Sequence, residues 1–258
     1  MKSIILADMD GTLTEPREKI MRPMIDAIKA KTKQCDFGIV TGSDLGYVQQ
    51  QCESLLTFES IDLSKIHLFP CNGTKEYRFV GTRYELQSQV AMINEIGYDK
   101  YRSLVSRLLN LQACTAFEYK DLDLTGVFIQ YRGSLLNWCP IGRLANSEQR
   151  ARFVELDRSK HVRIKLKNEL EGIIKDQKIP VTIALGGSTS FDIYPHGWDK
   201  TFVLRHLDEY DKIYFIGDRC QEGGNDKALY DALSAIPGRA FETDSPEQTI
   251  EIIKNISI

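Results

Sequence analysis

The chain has 258 residues, 42% of them apolar, enough to bury the core of one large domain or of a domain carrying an inserted second one. Its 33 basic and 36 acidic side chains leave a formal net charge of −3 with no dense Lys/Arg run, which argues against a nucleic-acid track or a membrane-surface patch. The apolar run before the first Asp is too short for a signal peptide, and no window approaches the ~18 apolar residues that span a bilayer, so a cytosolic protein is expected. Six single cysteines without CxxC spacing argue against a zinc site and, in a reducing compartment, against a disulfide framework.

SIILA, residues 3–7, is apolar without polar alternation, which predicts a central parallel strand covered on both faces. Met21, Met24, Ile25 and Ile28 recur at helical spacing over 21–32, and DFGIVTGSD (36–44) reads as a second buried strand ending in Gly, Ser and Asp. A helix over 45–56 and the strand IHLFP (66–70) continue an alternation that implies a parallel sheet built from right-handed crossovers. KEYRFVGTRYEL (75–86) then reads as a small hairpin and 88–111 as helix. LTGVFIQYRGSLLNWCP (124–140) alternates polar and apolar residues and turns at Arg132-Gly133-Ser134, the pattern of an antiparallel hairpin with one open face. One long charged helix over 147–176 and one alternating strand, VTIALGGSTSFDIYP (181–195), complete this block. From Lys200 the first style returns with a helix to about Tyr210, the buried strand KIYFIGD (212–218), a Gly-rich loop, another helix, the strand RAFET and the helix SPEQTIEIIKNI. The expected fold class is α/β, a Rossmann-like parallel-sheet core over 1–82 and 197–258 with an inserted α+β domain over 83–196.

Three carboxylate-bearing loops share one address in this scheme. Asp8 and Asp10 follow the first buried strand, Thr41-Gly42-Ser43-Asp44 the second, and Gly217-Asp218 the strand near the C-terminus. Ligands of open α/β sheets bind outside the carboxyl ends of the strands. Asp and Gly at a single strand end are ordinary turn residues. Three such loops at one predicted location point instead to a shared pocket, whose oxygens suit a hard cation, Mg²⁺, beside a phosphate.

DMDGTLT, VTGSD, Lys200 ahead of the late strand and GDRCQEGGND resemble the four motifs of the haloacid dehalogenase superfamily, whose members typically transfer phosphoryl groups through an aspartyl phosphate. A closer resemblance, to the eukaryotic-type phosphomannomutases, runs over DMDGTLTEPREKI, FPCNG, YRGSLLNWCPIGR, SFDIYPHGWDK and GDRCQEGGND. It implies a core with an inserted cap and interconversion of mannose 6-phosphate and mannose 1-phosphate with Mg²⁺ and glucose 1,6-bisphosphate or mannose 1,6-bisphosphate as activator. It also implies a homodimer formed through the cap.

By that resemblance Asp8 is the nucleophile and Asp10, two residues on, the acid and base for the sugar oxygen. Gly11 and Thr12 would form a tight turn offering backbone and hydroxyl groups to metal or phosphate. Gly42 and Ser43 would hold phosphate oxygens, and Lys200 would neutralise the phosphorylated state. Asp8, Asp10 and Asp218 are candidate metal ligands, with Asn225 and Asp226 either ligating directly or supporting the loop. Arg17, Arg132 and Arg143 have the guanidinium forks that suit phosphate, and Ser190 and Asp192, two apart on a strand, could bind sugar hydroxyls. The chain departs from the family at Cys71-Asn72-Gly73, where relatives usually read ENG, and over residues 186–189. A sugar-phosphate phosphatase of the same superfamily would use the same two aspartates with water as acceptor, and a non-catalytic sugar-phosphate-binding protein is a third reading. The arginine-bearing cap favours the mutase over the first, and the intact Asp8, Asp10 and Asp218 argue against the second.

Overall fold

The fully apolar runs are strands buried on both faces. In the computed structural model, which describes residues 1–258, the first unit begins with β1 (Ser3–Ala7), α1 (Arg22–Lys31), β2 (Asp36–Val40), α2 (Leu45–Gln51), α3 (Glu53–Leu56), β3 (Ile66–Phe69), β4 (Lys75–Val80) and β5 (Arg83–Gln89). After the second unit, described below, it resumes with a 3-10 segment (Lys200–His206), and its last strands and helices cover 212–255.

The second unit holds α4 (Met92–Ile96), α5 (Tyr98–Glu118), β6 (Ile129–Tyr131), β7 (Leu136–Trp138), α6 (Ser147–Lys160), α7 (Val162–Asp176), β8 (Val181–Gly186) and β9 (Ser190–Pro195). The first unit then closes with β10 (Lys212–Gly217), α8 (Lys227–Ser234), β11 (Ala240–Glu242) and α9 (Pro246–Asn255). The units comprise Met1–Gln89 with Gly197–Ile258, and Val90–His196. Because β5 pairs along β4 in the core sheet, the first segment of the core reaches Gln89, past the expected end at residue 82. No helix is long and apolar enough to cross a membrane.

The core sheet has the order β11-β10-β1-β2-β3-β4-β5. Its first five strands are parallel, and β4 and β5 are added at one edge by antiparallel pairing, β3 with β4 and β4 with β5. Successive residues of β1 explain why no polar alternation is visible: Ile5 and Ala7 enter the cluster with Met24, Ile28 and Phe37, while Ile4 and Leu6 enter the one with Phe69, Val203 and Phe215. The chain leaves β1 for β2 on one side and returns through β10 on the other, so β1 sits at the switch point where an α/β sheet opens a crevice.

The second unit is an antiparallel sheet, β6-β7-β9-β8, backed by helices. Leu136, Trp138, Phe191 and Ile193 face the helices. Asn137, directly opposite Asp192, lies on the other face. Four expectations are corrected here. The helix expected over 88–111 is two, separated by Gly97 at φ 81°. The helix over 147–176 breaks at His161, a non-glycine residue at φ 55°, and the bend is closed by Asp157, which accepts from the amide and Nε of Arg163. The single strand over 181–195 is a hairpin turning at Gly187, φ 53°. The segment from Lys200 is a 3-10 turn, begun by Asp199, which accepts from the amide of Thr201.

At the amino end of β2, away from the loops considered below, Asp36 accepts from Tyr210 Oη (2.7 Å) and lies 3.3 Å from His67 Nε2 and from Lys65 Nζ. Burial alone would raise this carboxyl, but the hydrogen bonds from His67 and Tyr210, with the nearby Lys65, outweigh it and hold the group well below the usual carboxylate range. A depressed carboxylate contributes stability above its unfolded-state pKa and loses it as pH falls towards the folded value. Asp36→Asn is therefore expected to cost about 2 kcal/mol at pH 7, with the gap to the wild type closing below about pH 4, as read by thermal unfolding across pH. Five cysteines are buried and all six are free, and burial, with Asp10 adding to it, pushes the Cys52 thiol up to about 12.

Candidate active site

The loops after β1, β2, β3 and β10 emerge at the carboxyl end of the core sheet and are tied to one another. Asp8, the first residue beyond β1, donates its amide to Ile216 of β10, 3.0 Å away. The Ser43 carbonyl accepts from Cys71 and the Thr41 carbonyl from Asn72, joining the β2 and β3 loops. Gly11 has φ 89°, and a Cβ there would overlap the Asp218 carboxylate, so this glycine is what allows the first loop to lie against the last.

Asp8, Asp218 and Asp226 each place a carboxylate oxygen within 4.8 Å of the others. Lys200, whose side chain is 0% exposed, donates through Nζ to Oδ1 of Asp8 and to Oδ1 of Asp226. Asp226 accepts in addition from the amide of Arg219 (3.1 Å). Burial pushes the Asp8 carboxyl well above the ordinary range, against the pull of Lys200 and with a further push from Asp226 and Asp218. Burial and Asp226 likewise raise Asp218 to about 6. Burial would lower Lys200, yet Asp226 and Asp8 outweigh it and keep it an ammonium.

Three carboxylates against one ammonium leave two negative charges in a desolvated cluster, the charge that one divalent cation cancels. Oδ1 of Asp218, Oδ1 of Asn225 and Oγ1 of Thr12 are buried without a hydrogen-bond partner. Orphaned oxygens of this kind, beside clustered carboxylates, fit a hard cation of the Mg²⁺ type.

Asp10 is placed differently from the other aspartates. Its Oδ1 accepts from the Tyr47 hydroxyl (2.9 Å) and from the amide of Arg17 (3.1 Å), and its carboxylate is not part of the cluster formed by Asp8, Asp218 and Asp226. Asp226, which the fold brings back from the Gly223-Gly224 loop, joins Asp8 and Asp218 in that cluster. Arg17 has φ 70° and an exposed side chain, so what it brings to Asp10 is its backbone. In the second loop the Ser43 amide donates to Thr41 Oγ1 (3.2 Å), and Asp44 caps α2 by accepting from the amide of Tyr47.

The second unit gathers the remaining candidates on the polar face of its sheet. Arg132 is buried, with Nη1 3.9 Å from Asp192 Oδ1. Asn137 is the centre of the group: its Nδ2 donates to Asp192 Oδ1 (2.8 Å) and reaches Ser190 Oγ (3.2 Å), and its Oδ1 accepts from Arg143 Nη1 (2.9 Å). Neither Asn137 nor Tyr47 is among the residues picked out from the sequence. Asn137 carries a signal, being the polar residue between Leu136 and Trp138 on an alternating strand; Tyr47 carries none.

A parallel sheet with Asp8 and Asp218 at the ends of adjacent strands, and a second unit inserted in the chain, is the fold of the haloacid dehalogenase superfamily. An N-terminally truncated IMP-nucleotidase of Plasmodium falciparum has that fold in common with this chain, with a TM-score of 0.66 and 14% identity over 99% of this chain and 71% of its own. Residues 24–258 match the family described as eukaryotic phosphomannomutase. A phosphomannomutase of Schizosaccharomyces pombe is 34% identical over 99% of this chain and 94% of its own, and one of Arabidopsis thaliana 33% over 96% and 93%. The chain belongs to the eukaryotic phosphomannomutase family.

Proposed function

We propose that this chain interconverts mannose 6-phosphate and mannose 1-phosphate through a phosphorylated Asp8, with a hexose bisphosphate, glucose 1,6- or mannose 1,6-bisphosphate, as activator. The observation that carries this reading is the Asp8–Lys200–Asp226–Asp218 cluster at the strand ends, in a chain of this family.

In the forward step a carboxylate oxygen of Asp8 attacks phosphorus, the bond from phosphorus to the sugar oxygen breaks, and the departing oxygen takes a proton from Asp10. In the return step a sugar hydroxyl gives its proton to Asp10 and attacks the phosphorus, releasing the Asp8 carboxylate. Lys200 offsets the charge of the esterified aspartate and of its phosphate, while Gly42 and Ser43 hold phosphate oxygens. Asp8, Asp218 and Asn225 would hold Mg²⁺ with Asp226 beside them, and the ion, when bound, supplies Lewis-acid screening of the phosphate charge. The phosphate that is not reacting is taken by Arg132 and Arg143, with Arg17 assisting, and the sugar hydroxyls by Ser190 and Asp192. The protein works in the cytosol as a homodimer formed through the second unit, whose α5 exposes Leu109 and Phe117.

The test is a coupled assay of mannose 1-phosphate with catalytic amounts of glucose 1,6-bisphosphate, run beside a free-phosphate assay. Formation of mannose 6-phosphate without stoichiometric phosphate is expected; release of phosphate alone would overturn the reading. Arg143→Ala is expected to raise KM for the hexose monophosphate about tenfold, by loss of a charge-assisted contact, and an unchanged KM would remove Arg143 from the site.

A further inference from the structure

Asp10 is steered by two donors, one on α2 and one in the loop after β1, and both reach the same oxygen. The Tyr47 hydroxyl lies 2.9 Å and the Arg17 amide 3.1 Å from Oδ1. Neither donor is loosely held. Tyr47 is the third residue of α2, and its own amide donates to the capping Asp44 carboxylate at 3.0 Å, so the helix start fixes the base of the ring. Arg17 sits at φ 70° in a loop closed by hydrogen bonds from the amides of Leu13 and Thr14 to the Met9 carbonyl and from the amide of Gly11 to that of Thr14. A carboxylate turns about its bond to Cβ, and two donors on one oxygen stop that rotation with the other oxygen, Oδ2, left to exchange a proton.

We infer that Tyr47 is a positioning residue for the reaction: its hydroxyl holds Oδ1 of Asp10 so that Oδ2 meets the sugar oxygen. The inference rests on the proposed role of Asp10 as acid and base. As the bond between phosphorus and the sugar oxygen breaks, its electron pair goes to that oxygen, which takes the proton from Oδ2; the carboxylate left behind keeps its hydrogen bonds from Tyr47 and Arg17. In the return direction the hydroxyl proton goes back to Oδ2. Tyr47 keeps its own proton throughout and touches no reacting atom. A misaligned acid loses rate without losing ground-state binding, because phosphate and sugar contacts lie elsewhere.

The chemistry supplies a test that a merely structural tyrosine would fail. A sugar oxygen leaves phosphorus poorly without a proton, whereas the carboxylate of acetyl phosphate leaves without one. Tyr47→Phe, which removes only the hydroxyl, is expected to lower kcat for hexose phosphate interconversion by roughly 10- to 100-fold, part of the full general-acid effect, with KM changed less than about twofold. Phosphorylation of Asp8 by glucose 1,6-bisphosphate should slow by the same factor, and phosphorylation by acetyl phosphate should stay within about twofold of wild type. Equal losses with both donors, or wild-type rates with both, would overturn the inference, with thermal unfolding used to confirm that the variant is folded. Asp10→Asn, measured in parallel, separates this from the underlying reading. If Asp10→Asn still turns over the bisphosphate, the acid–base role of Asp10 falls and the role of Tyr47 falls with it. If Asp10→Asn is inactive towards the bisphosphate while Tyr47→Phe is normal, only the assignment of Tyr47 is lost.

Discussion

Asp8→Asn is expected to lower kcat by at least about 10⁴, to a level indistinguishable from background, because an amide cannot be esterified by phosphorus at that position. Incubation with radiolabelled glucose 1,6-bisphosphate should label the wild type on Asp8 and leave the variant unlabelled. The same variant should unfold at the same temperature as the wild type or higher at pH 7. The sign follows from the environment of Asp8, whose carboxyl is raised by burial and by Asp226 and Asp218 in spite of Lys200. A carboxyl with a raised folded-state pKa favours the folded state most at low pH, and that contribution is lost as pH rises from the unfolded value of about 4 through the folded one. At pH 7 the Asp8 carboxyl is therefore a cost to the fold, which a neutral amide that still accepts from Lys200 removes. Loss of turnover together with equal or greater stability would mark Asp8 as a residue kept for chemistry. A folded variant with normal turnover would discard the aspartyl-phosphate mechanism, and a large loss of stability would show that the carboxylate supports the fold.

The strands of the core were readable because their signal is local. SIILA is buried along its whole length and KIYFIG from Tyr214 to Gly217, and a strand covered on both faces cannot hide in a one-dimensional pattern. The second unit was less readable where its backbone does something the side chains do not advertise. His161 takes a left-handed conformation at a point of the charged helical run where no Gly or Pro stands nearby, so nothing marks the break. The turn at Gly187 is marked by Gly186-Gly187 but masked in the pattern, because residues on both sides continue the same alternation. In the site, residue types in loops could be read but not their directions. Asp8, Asp10 and Asp226 are all acidic residues near glycines, yet only the fold shows that Asp8 and Asp226 share Lys200 while Asp10 turns to Tyr47. Asn137 shows the same limit on a strand: its type was visible, but its contacts with Asp192 and Ser190 depend on pairing between strands more than fifty residues apart.

Lys200→Met should damage both stability and activity, and the two losses have one origin. The ammonium is the cation paired directly with Asp8 and Asp226, and it is 0% exposed. Removing one partner of a buried ion pair leaves uncompensated charge and costs about 3–5 kcal/mol, more than the methionine side chain recovers by packing. The pH dependence identifies the cause. Lys200 is raised above its ordinary value because Asp226 and Asp8 outweigh its burial, so in the wild type its contribution is present throughout the neutral range and is lost only as pH rises through the folded value. In the variant, Asp8 loses the lysine that pulled its carboxyl down and rises further, so the folded state takes up a proton that the unfolded state does not. The stability gap should therefore narrow as pH falls from 7 towards 5, by thermal unfolding in chelator. The same excess of negative charge should make Mg²⁺ raise the unfolding temperature of the variant more than that of the wild type. Turnover should fall by about 10²–10³, the usual effect of removing one preorganised charge partner of a developing anion. A variant as stable as wild type at pH 7, with a flat pH profile and no added response to Mg²⁺, would show that the lysine does not balance these carboxylates.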